Sequence, residues 1–390
     1  MSREALPSRA DVVVIGGGVI GLATAYHLAA AGAGSVVLLE KESLGSGSTC
    51  RSAGGVRAQF SDATNIVLGQ HGLRVFERFG ELFGQEIDFH QVGYLFLLDN
   101  ARDVATFEAS VALQNSLGVP SRMVSPAEAQ RLSPLISTEG LLAAAFSAED
   151  GHCDPSPVCQ GYASAARRLG ATLVTGCAAT GAEVDRSGPA PVVRAVHTEA
   201  GAIETDRVVI ATGAWSKEVG SWFGVDLPVE PLRRQILVTE PVAGLRPDTP
   251  MTIDFATTFY FHNEGPGLLM GMSDPQETPS FRLTPDDAWL PGVVEAITRR
   301  SPSLEDVGIS TQWAGLYEVT PDANGLVGQS DEVPGVFYCT GFSGHGFLLG
   351  PALGEVMTSL VQGDEPFVDV SGFDVRRFAR DELRPEINVV

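Results

Sequence analysis

A chain of 390 residues with 44% hydrophobic and 19% charged residues has ample length for a buried core in one large or two intimate domains, which excludes disorder. A formal net charge of −22 argues against a nucleic-acid partner, because a phosphate backbone rewards clustered Lys and Arg. No apolar run reaches the length of a membrane span, and Met1 to Ala10 lacks an apolar signal region, so a cytoplasmic protein is expected; the five cysteines have no metal-ligand or disulfide-framework spacing, so no metal is expected.

In chain order, the first element is also the most informative. Asp11 to Ile15 reads as a buried strand, Gly16-Gly17-Gly18 as a turn, and Leu22 to Ala31 as a helix. Val36 to Leu39 is a second strand, capped by Glu40. Gly16 permits the tight turn, Gly18 a close backbone approach to a pyrophosphate, and Gly21 the packing of helix on sheet. Val19 and Ile20 join the turn to the helix whose N–H groups face the phosphates and count with the cofactor-binding residues, and Glu40, followed by Lys41, accepts from ribose hydroxyls. An acid with no neighbouring arginine disfavours a 2′-phosphate, leaving NAD or FAD.

The loop from Gly45 to Arg57 is rich in glycine and hydroxyl groups and too polar for core, as though it wraps a ligand. Helical spacing resumes over Asn65 to Phe83, followed by a strand at Gly93 to Leu98 and helices at Asp103 to Leu117 and Pro126 to Leu132. The last has Ser125 as cap and Pro126 at its first position. A helix from Val158 to Leu169 precedes three segments, Ala171 to Val174, Val192 to Thr198 and Ala202 to Thr205, that alternate like a meander. A buried strand then enters the turn at Thr212-Gly213-Ala214-Trp215. Strands at 234–239, 258–262 and 267–271 and a helix from Pro291 to Arg300 follow. The chain closes through Gly315 to Asp322, a strand at Val336 to Thr340, the turn Gly344-His345-Gly346-Phe347 and a helix ending near Gln362. A histidine between glycines at a helix N-terminus is a candidate for steadying a developing anion.

The opening GGGVIG with Glu40, the GSTCRSAGG loop, the ATGAWS turn, and GLYEVTPD followed by TGFSGHGF together resemble the D-amino-acid oxidase superfamily, most closely its sarcosine oxidase β-subunit, dimethylglycine dehydrogenase and proline dehydrogenase branch. The resemblance implies an α/β fold: a Rossmann-like FAD-binding domain (1–88, 150–225 and 314–390) and a discontinuous substrate domain with an antiparallel sheet (89–149 and 226–313). It resolves the cofactor as FAD, held by the residues above and by Ser48, Thr49, Arg51, Ser52, Ala53, Gly54, Gly55, Thr212, Gly213, Trp215, Gly315, Gly344, His345, Gly346 and Phe347. The tethering cysteine of monomeric sarcosine oxidase falls near Gly315 and the tethering histidine of dimethylglycine dehydrogenase at Arg51, so non-covalent FAD is expected.

By the same resemblance Arg57 holds a substrate carboxylate, with Tyr260, His262, Tyr317 and His345 as further candidates at the reacting centre. Tyr317 stands where related branches carry an arginine for primary amino acids. Leu348 and the Gly267 to Gly271 strand stand where sarcosine oxidases carry lysines. The implied reaction is oxidation of the C–N bond of a small secondary or tertiary amino acid by hydride transfer to flavin N5, with oxygen or a redox partner as acceptor. A 2-hydroxy-acid dehydrogenase, which needs a histidine base, and a flavin-holding subunit of a larger amine dehydrogenase with partner subunits remain open.

Overall fold

The computed structural model describes residues 6–389; residues 1–5 and 390, assigned above to the nucleotide-binding part, lie outside it. Two sheets organise the chain. The first has six strands in the order Leu326–Gln329, Val336–Thr340, Val208–Ile210, Val12–Ile15, Val36–Leu39 and Thr172–Val174, all parallel except the outermost pair, Leu326–Gln329 with Val336–Thr340. Its central strand is Val-Val-Val-Ile and buried throughout, because both faces are covered. Val12, Val14 and Leu38 pack with the helices Val19–Ala30, Pro155–Arg168 and Gly346–Gln362; Val13, Ile15 and Val37 pack with the three-stranded meander and Phe223.

The meander departs from expectation. Its strands are Ala179–Asp185, Val192–Thr198 and Gly201–Glu204, whereas Thr172–Val174 joins the parallel sheet beside Val36–Leu39. Ala179–Asp185 is only half-buried and interrupted by Gly181, so it carries little strand signal of its own, while Leu173 and Val174 are buried. The helix expected over Asn65 to Phe83 is two helices, Ala63–Glu77 and Phe79–Phe83, because Arg78 between them leaves helical geometry at φ −108 and ψ 14. Ser125 and Pro126 do start the helix Pro126–Leu132, and the Ser125 side chain accepts from the Glu128 N–H.

The second sheet has eight strands in the order Ile309–Val319, Glu230–Thr239, Gly267–Met272, Phe259–Glu264, Met251–Asp254, Tyr94–Leu98, Ala143–Ser147 and Arg122–Val124. It is antiparallel apart from one parallel pair, Tyr94–Leu98 with Met251–Asp254. Alternation divides it cleanly. Leu95, Leu97, Leu237, Phe259 and Phe261 pack against Val293 and Ile297 of the helix Leu290–Arg300; Tyr94, Phe96, Ile236, Ile253 and Tyr260 belong to the opposite face. The boundary drawn at residue 314 falls inside the strand Ile309–Val319, which runs from the second sheet toward the first and carries Tyr317 and Glu318 with it. Near the C-terminus, Arg377 forks onto buried Asp322 at 2.7 and 2.8 Å, and Glu386 accepts from Ser61 N at 2.9 Å. This brings residues 386–389 beside the Arg57 loop. Among the described residues no helix is long and apolar enough to cross a membrane, and no cluster of metal-ligating side chains occurs.

Candidate active site

Between the two sheets lies a continuous cleft of about 460 Å³. One end is built by the turn of the first strand. Gly16 holds φ +111, and a Cβ there would sit 2.3 Å from the Ala211 carbonyl oxygen, so only glycine fits. Gly18 differs: its backbone is extended (φ −76, ψ 178), and a Cβ would meet only the Thr49 hydroxyl at 3.2 Å. The protein itself leaves that space open, as a cradle for a phosphate requires. Gly21 does not line the cleft. A Cβ on it would lie 2.0 Å from the Gly16 carbonyl oxygen, so its role is packing of helix on turn. Glu40 is fixed by two amides, Gly17 N–H on Oε2 and Glu42 N–H on Oε1, each at 2.8 Å. Lys41 lies over the Trp215 ring at 3.4 Å.

The loop 45–57 crosses the cleft and is pinned to the second sheet. Arg51 donates to the Ser46 and Ala314 carbonyls at 3.1 and 3.3 Å, while the Trp313 indole donates to the Arg51 carbonyl at 3.0 Å. Ser48, Thr49, Ser52, Ala53, Gly54 and Gly55 line the cleft, as do Val19, Ile20, Thr212, Gly213, Gly315, Gly344, Gly346 and Phe347. His262 does not: its Nε2 faces the Ala53 carbonyl at 2.9 Å and its ring stacks on His152 at 4.1 Å, so it braces the loop from behind. His345 lies in the cleft wall, 2% exposed, with both ring nitrogens lacking a partner. Burial, reinforced by the Arg57 charge, pushes it down to about 3, so the ring is neutral at physiological pH. Orphaned buried nitrogens and an open Gly18 cradle at two ends of one cleft fit a long, polar-headed group such as FAD.

The chamber at the second sheet is walled by three tyrosines, each admitted by a glycine. A Cβ on Gly55 would lie 1.7 Å from the Tyr94 hydroxyl, one on Gly271 would lie 2.2 Å from the Tyr260 ring, and one on Gly344 would lie 2.3 Å from the Tyr317 ring. Tyr94 has no distinguishing signal in the sequence, because its strand looks like ordinary core. Ile236, Met251, Ile253 and Val389 complete the lining.

Arg57 is 5% exposed and stacks on Phe60 at 4.1 Å. Its terminal nitrogens donate to the Gln59 and Asn388 carbonyls, the latter at 2.6 Å, and it makes no ion pair among the described residues. A second arginine in the lining, Arg234, does not stand out in the sequence, where it lies in an ordinary-looking strand. Its guanidinium lies 4.9 Å from the Tyr317 ring centre.

Two buried carboxyls flank the site. Burial raises Glu318 to about 7, partly opposed by its hydrogen bonds; burial likewise raises Asp150 to about 7, opposed by the Ala58 N–H at 2.9 Å, the Gln59 amide at 3.1 Å and the Arg57 charge. A carboxyl whose folded pKa is raised stabilises the fold fully below its unfolded value, and that contribution is lost as pH rises toward the folded value. Asp150→Asn is therefore expected to lose its stability deficit against wild type between about pH 4 and pH 7, a change of ~3–4 kcal/mol. Urea melts of both proteins at pH 4.5 and 8 measure it, and a difference independent of pH would mean that Asp150 is ionised throughout.

A family model for FAD dependent oxidoreductases, DAO, matches residues 11–360. Mitochondrial sarcosine dehydrogenase of Mus musculus is 33% identical over 96% of this chain and 42% of its own length, and mitochondrial dimethylglycine dehydrogenase of Mus musculus is 29% identical over 95% and 44%. The chain thus spans less than half the length of these curated relatives. The crystal structure of L-proline dehydrogenase from P. horikoshii superposes with a TM-score of 0.90 at 34% identity, covering 97% of this chain and all of that one. With its glycine turn, wrapping loop and two-sheet cleft, the chain belongs to the DAO family of FAD-dependent oxidoreductases.

Proposed function

We propose that the chain oxidises the C–N bond of a small secondary or tertiary amino acid, an N-methyl amino acid or imino acid, with 89–149 and 226–313 as the substrate-binding part. The observation that carries this reading is a tyrosine-walled chamber of Tyr94, Tyr260 and Tyr317 that holds two guanidinium groups, Arg57 and Arg234, and is continuous with the nucleotide cleft; the carboxyl that adjoins it, Glu318, is raised to about 7 by burial. Such a chamber favours an anion and disfavours an ammonium, so an amino acid enters it as the neutral amine that the chemistry requires. Arg57 grips the carboxylate, and the aromatic walls exclude water from the α-carbon. Bound FAD supplies the two-electron acceptor. A 2-hydroxy acid would need a base for its hydroxyl proton; His345 is held near 3 by burial and His262 lies behind the loop, which favours the amine.

The homologous sarcosine, dimethylglycine and proline dehydrogenases act, by their names, on substrates of this type. Anaerobic bleaching of the flavin by a panel of N-methyl, imino, primary amino and 2-hydroxy acids tests the reading. Reduction only by 2-hydroxy acids, or by nothing without an added partner subunit, would replace it.

The flavin is held without a covalent bond and oxygen reoxidises it slowly. Neither Arg51 nor Gly315 offers a tethering nucleophile. The chain has only two lysines: Lys41 lies over Trp215, and exposed Lys217 pairs with Glu230, leaving the second sheet without one. Acid precipitation should leave yellow supernatant, and an artificial acceptor should outpace oxygen. Flavin in the pellet, or rapid hydrogen peroxide formation, would contradict the respective half.

A further inference from the structure

Successive arginines in the strand Glu230–Thr239 have opposite fates. Arg233 is buried in an ion pair with Glu277, Nη2 to Oε2 at 2.6 Å, and donates to the Thr284 carbonyl at 2.7 Å. Arg234, on the other face of the strand, reaches the chamber. It stands opposite Gly315, so Tyr317, two residues further along the neighbouring strand, lies diagonally beneath its guanidinium. Among the described residues Arg234 makes no ion pair. Its one side-chain hydrogen bond is a 3.3 Å contact from Nη1 to the Arg233 carbonyl, and its buried Nε has no acceptor. A buried donor on a charged group left unpaired is unfavourable and calls for an acceptor from elsewhere.

Arg57 is in a different electrostatic position. Burial disfavours its charge, an effect only partly opposed by Tyr94, Glu386 and Asp150, and two backbone carbonyls fix its orientation. Both guanidinium groups line the same cleft as Tyr317, so they serve one chamber. An amino acid whose one carboxylate is taken by Arg57 and whose amine is neutral leaves Arg234, with its unpaired buried Nε, without an anionic partner, and a second acidic group on the substrate supplies one.

We propose that Arg234 is a specificity-determining residue that receives a second carboxylate, so that the substrate is a dicarboxylic N-alkyl amino acid. This rests on the amine-oxidation reading above, but its test does not need turnover. Holoenzyme is titrated with acetate and propionate and with malonate, succinate and glutarate, following the flavin spectrum. Separately, anaerobic reduction by sarcosine is compared with reduction by iminodiacetate and N-methylaspartate. Wild type should bind at least one dicarboxylate about tenfold or more tightly than the monocarboxylates, and reduction should show the same preference. Arg234→Met should lose that preference while keeping its FAD and weakening monocarboxylates far less than dicarboxylates, and Arg234→Lys should retain part of it. Should Arg234→Met fail to fold, Arg234→Lys replaces it: a reduced preference there supports the proposal, and an unchanged one overturns it. Wild type indifferent to the second carboxylate, or variants that weaken both ligand classes equally, would overturn the proposal. Dicarboxylate binding without reduction by any N-alkyl amino acid would instead overturn the amine reading and leave Arg234 as a dianion site.

Discussion

Gly18→Val is expected to give a folded protein that emerges from purification colourless. The backbone at Gly18 is in a region open to any residue, and the one close neighbour of a Cβ there is the Thr49 hydroxyl at 3.2 Å, which must give by a few tenths of an ångström, a far smaller adjustment than a clash with backbone. What the new side chain blocks is the space in front of the helix Val19–Ala30, where the phosphates of FAD approach the first N–H groups. Losing that approach should weaken FAD by more than ~3 kcal/mol, over about a hundredfold. The contrast with Gly16→Val makes the result specific. There, φ +111 and the Ala211 carbonyl 2.3 Å from the new Cβ obstruct folding itself. Flavin per chain after desalting, read beside a circular-dichroism melt, separates the two variants. A folded Gly18→Val protein with a full complement of FAD would remove this turn from the cofactor site.

Arg57→Met should reduce substrate affinity by ~2–5 kcal/mol, roughly thirtyfold or more, while the flavin spectrum stays normal. Methionine keeps the bulk stacked on Phe60 and Phe96 but removes the fork. It also leaves the Gln59 and Asn388 carbonyls without their donor, which costs about 1–3 kcal/mol for each and should lower the melting temperature. Affinity alone therefore does not isolate the carboxylate contact. The decisive comparison is flavin reduction by an amino acid against its carboxamide, in wild type and in Arg57→Met. Wild type should favour the acid and the variant should not. Arg57→Lys should recover only part of the difference, since an ammonium cannot make two parallel hydrogen bonds. If wild type ignores the carboxylate, Arg57 is left with the structural work of holding residues 386–389 against the loop.

The sequence by itself determined what is local. The first strand, glycine turn, helix and Glu40 lie within thirty residues of one another in the sequence, and each signal has a short-range cause: the φ of Gly16, the close contact of Gly21 with that turn, the open space at Gly18. The helix Pro126–Leu132 was legible for the same reason, because Ser125 and Pro126 act on their own neighbours. Tertiary structure alone decided which strands share a sheet and which way their side chains face. Thr172–Val174 and Val192–Thr198 both read locally as strands of one meander, yet the first pairs with Val36–Leu39 and the second with Ala179–Asp185 and Gly201–Glu204. Alternation along Glu230–Thr239 says that Arg233 and Arg234 part company, but not which of them reaches the chamber; Glu277 and Tyr317, distant in sequence, decide it. Tyr94 enters the chamber only because Gly55 makes room for it, and Arg57 is held by a carbonyl at Asn388. Contacts between residues so far apart depend on how the two sheets pack, and packing leaves no mark in a short window of sequence.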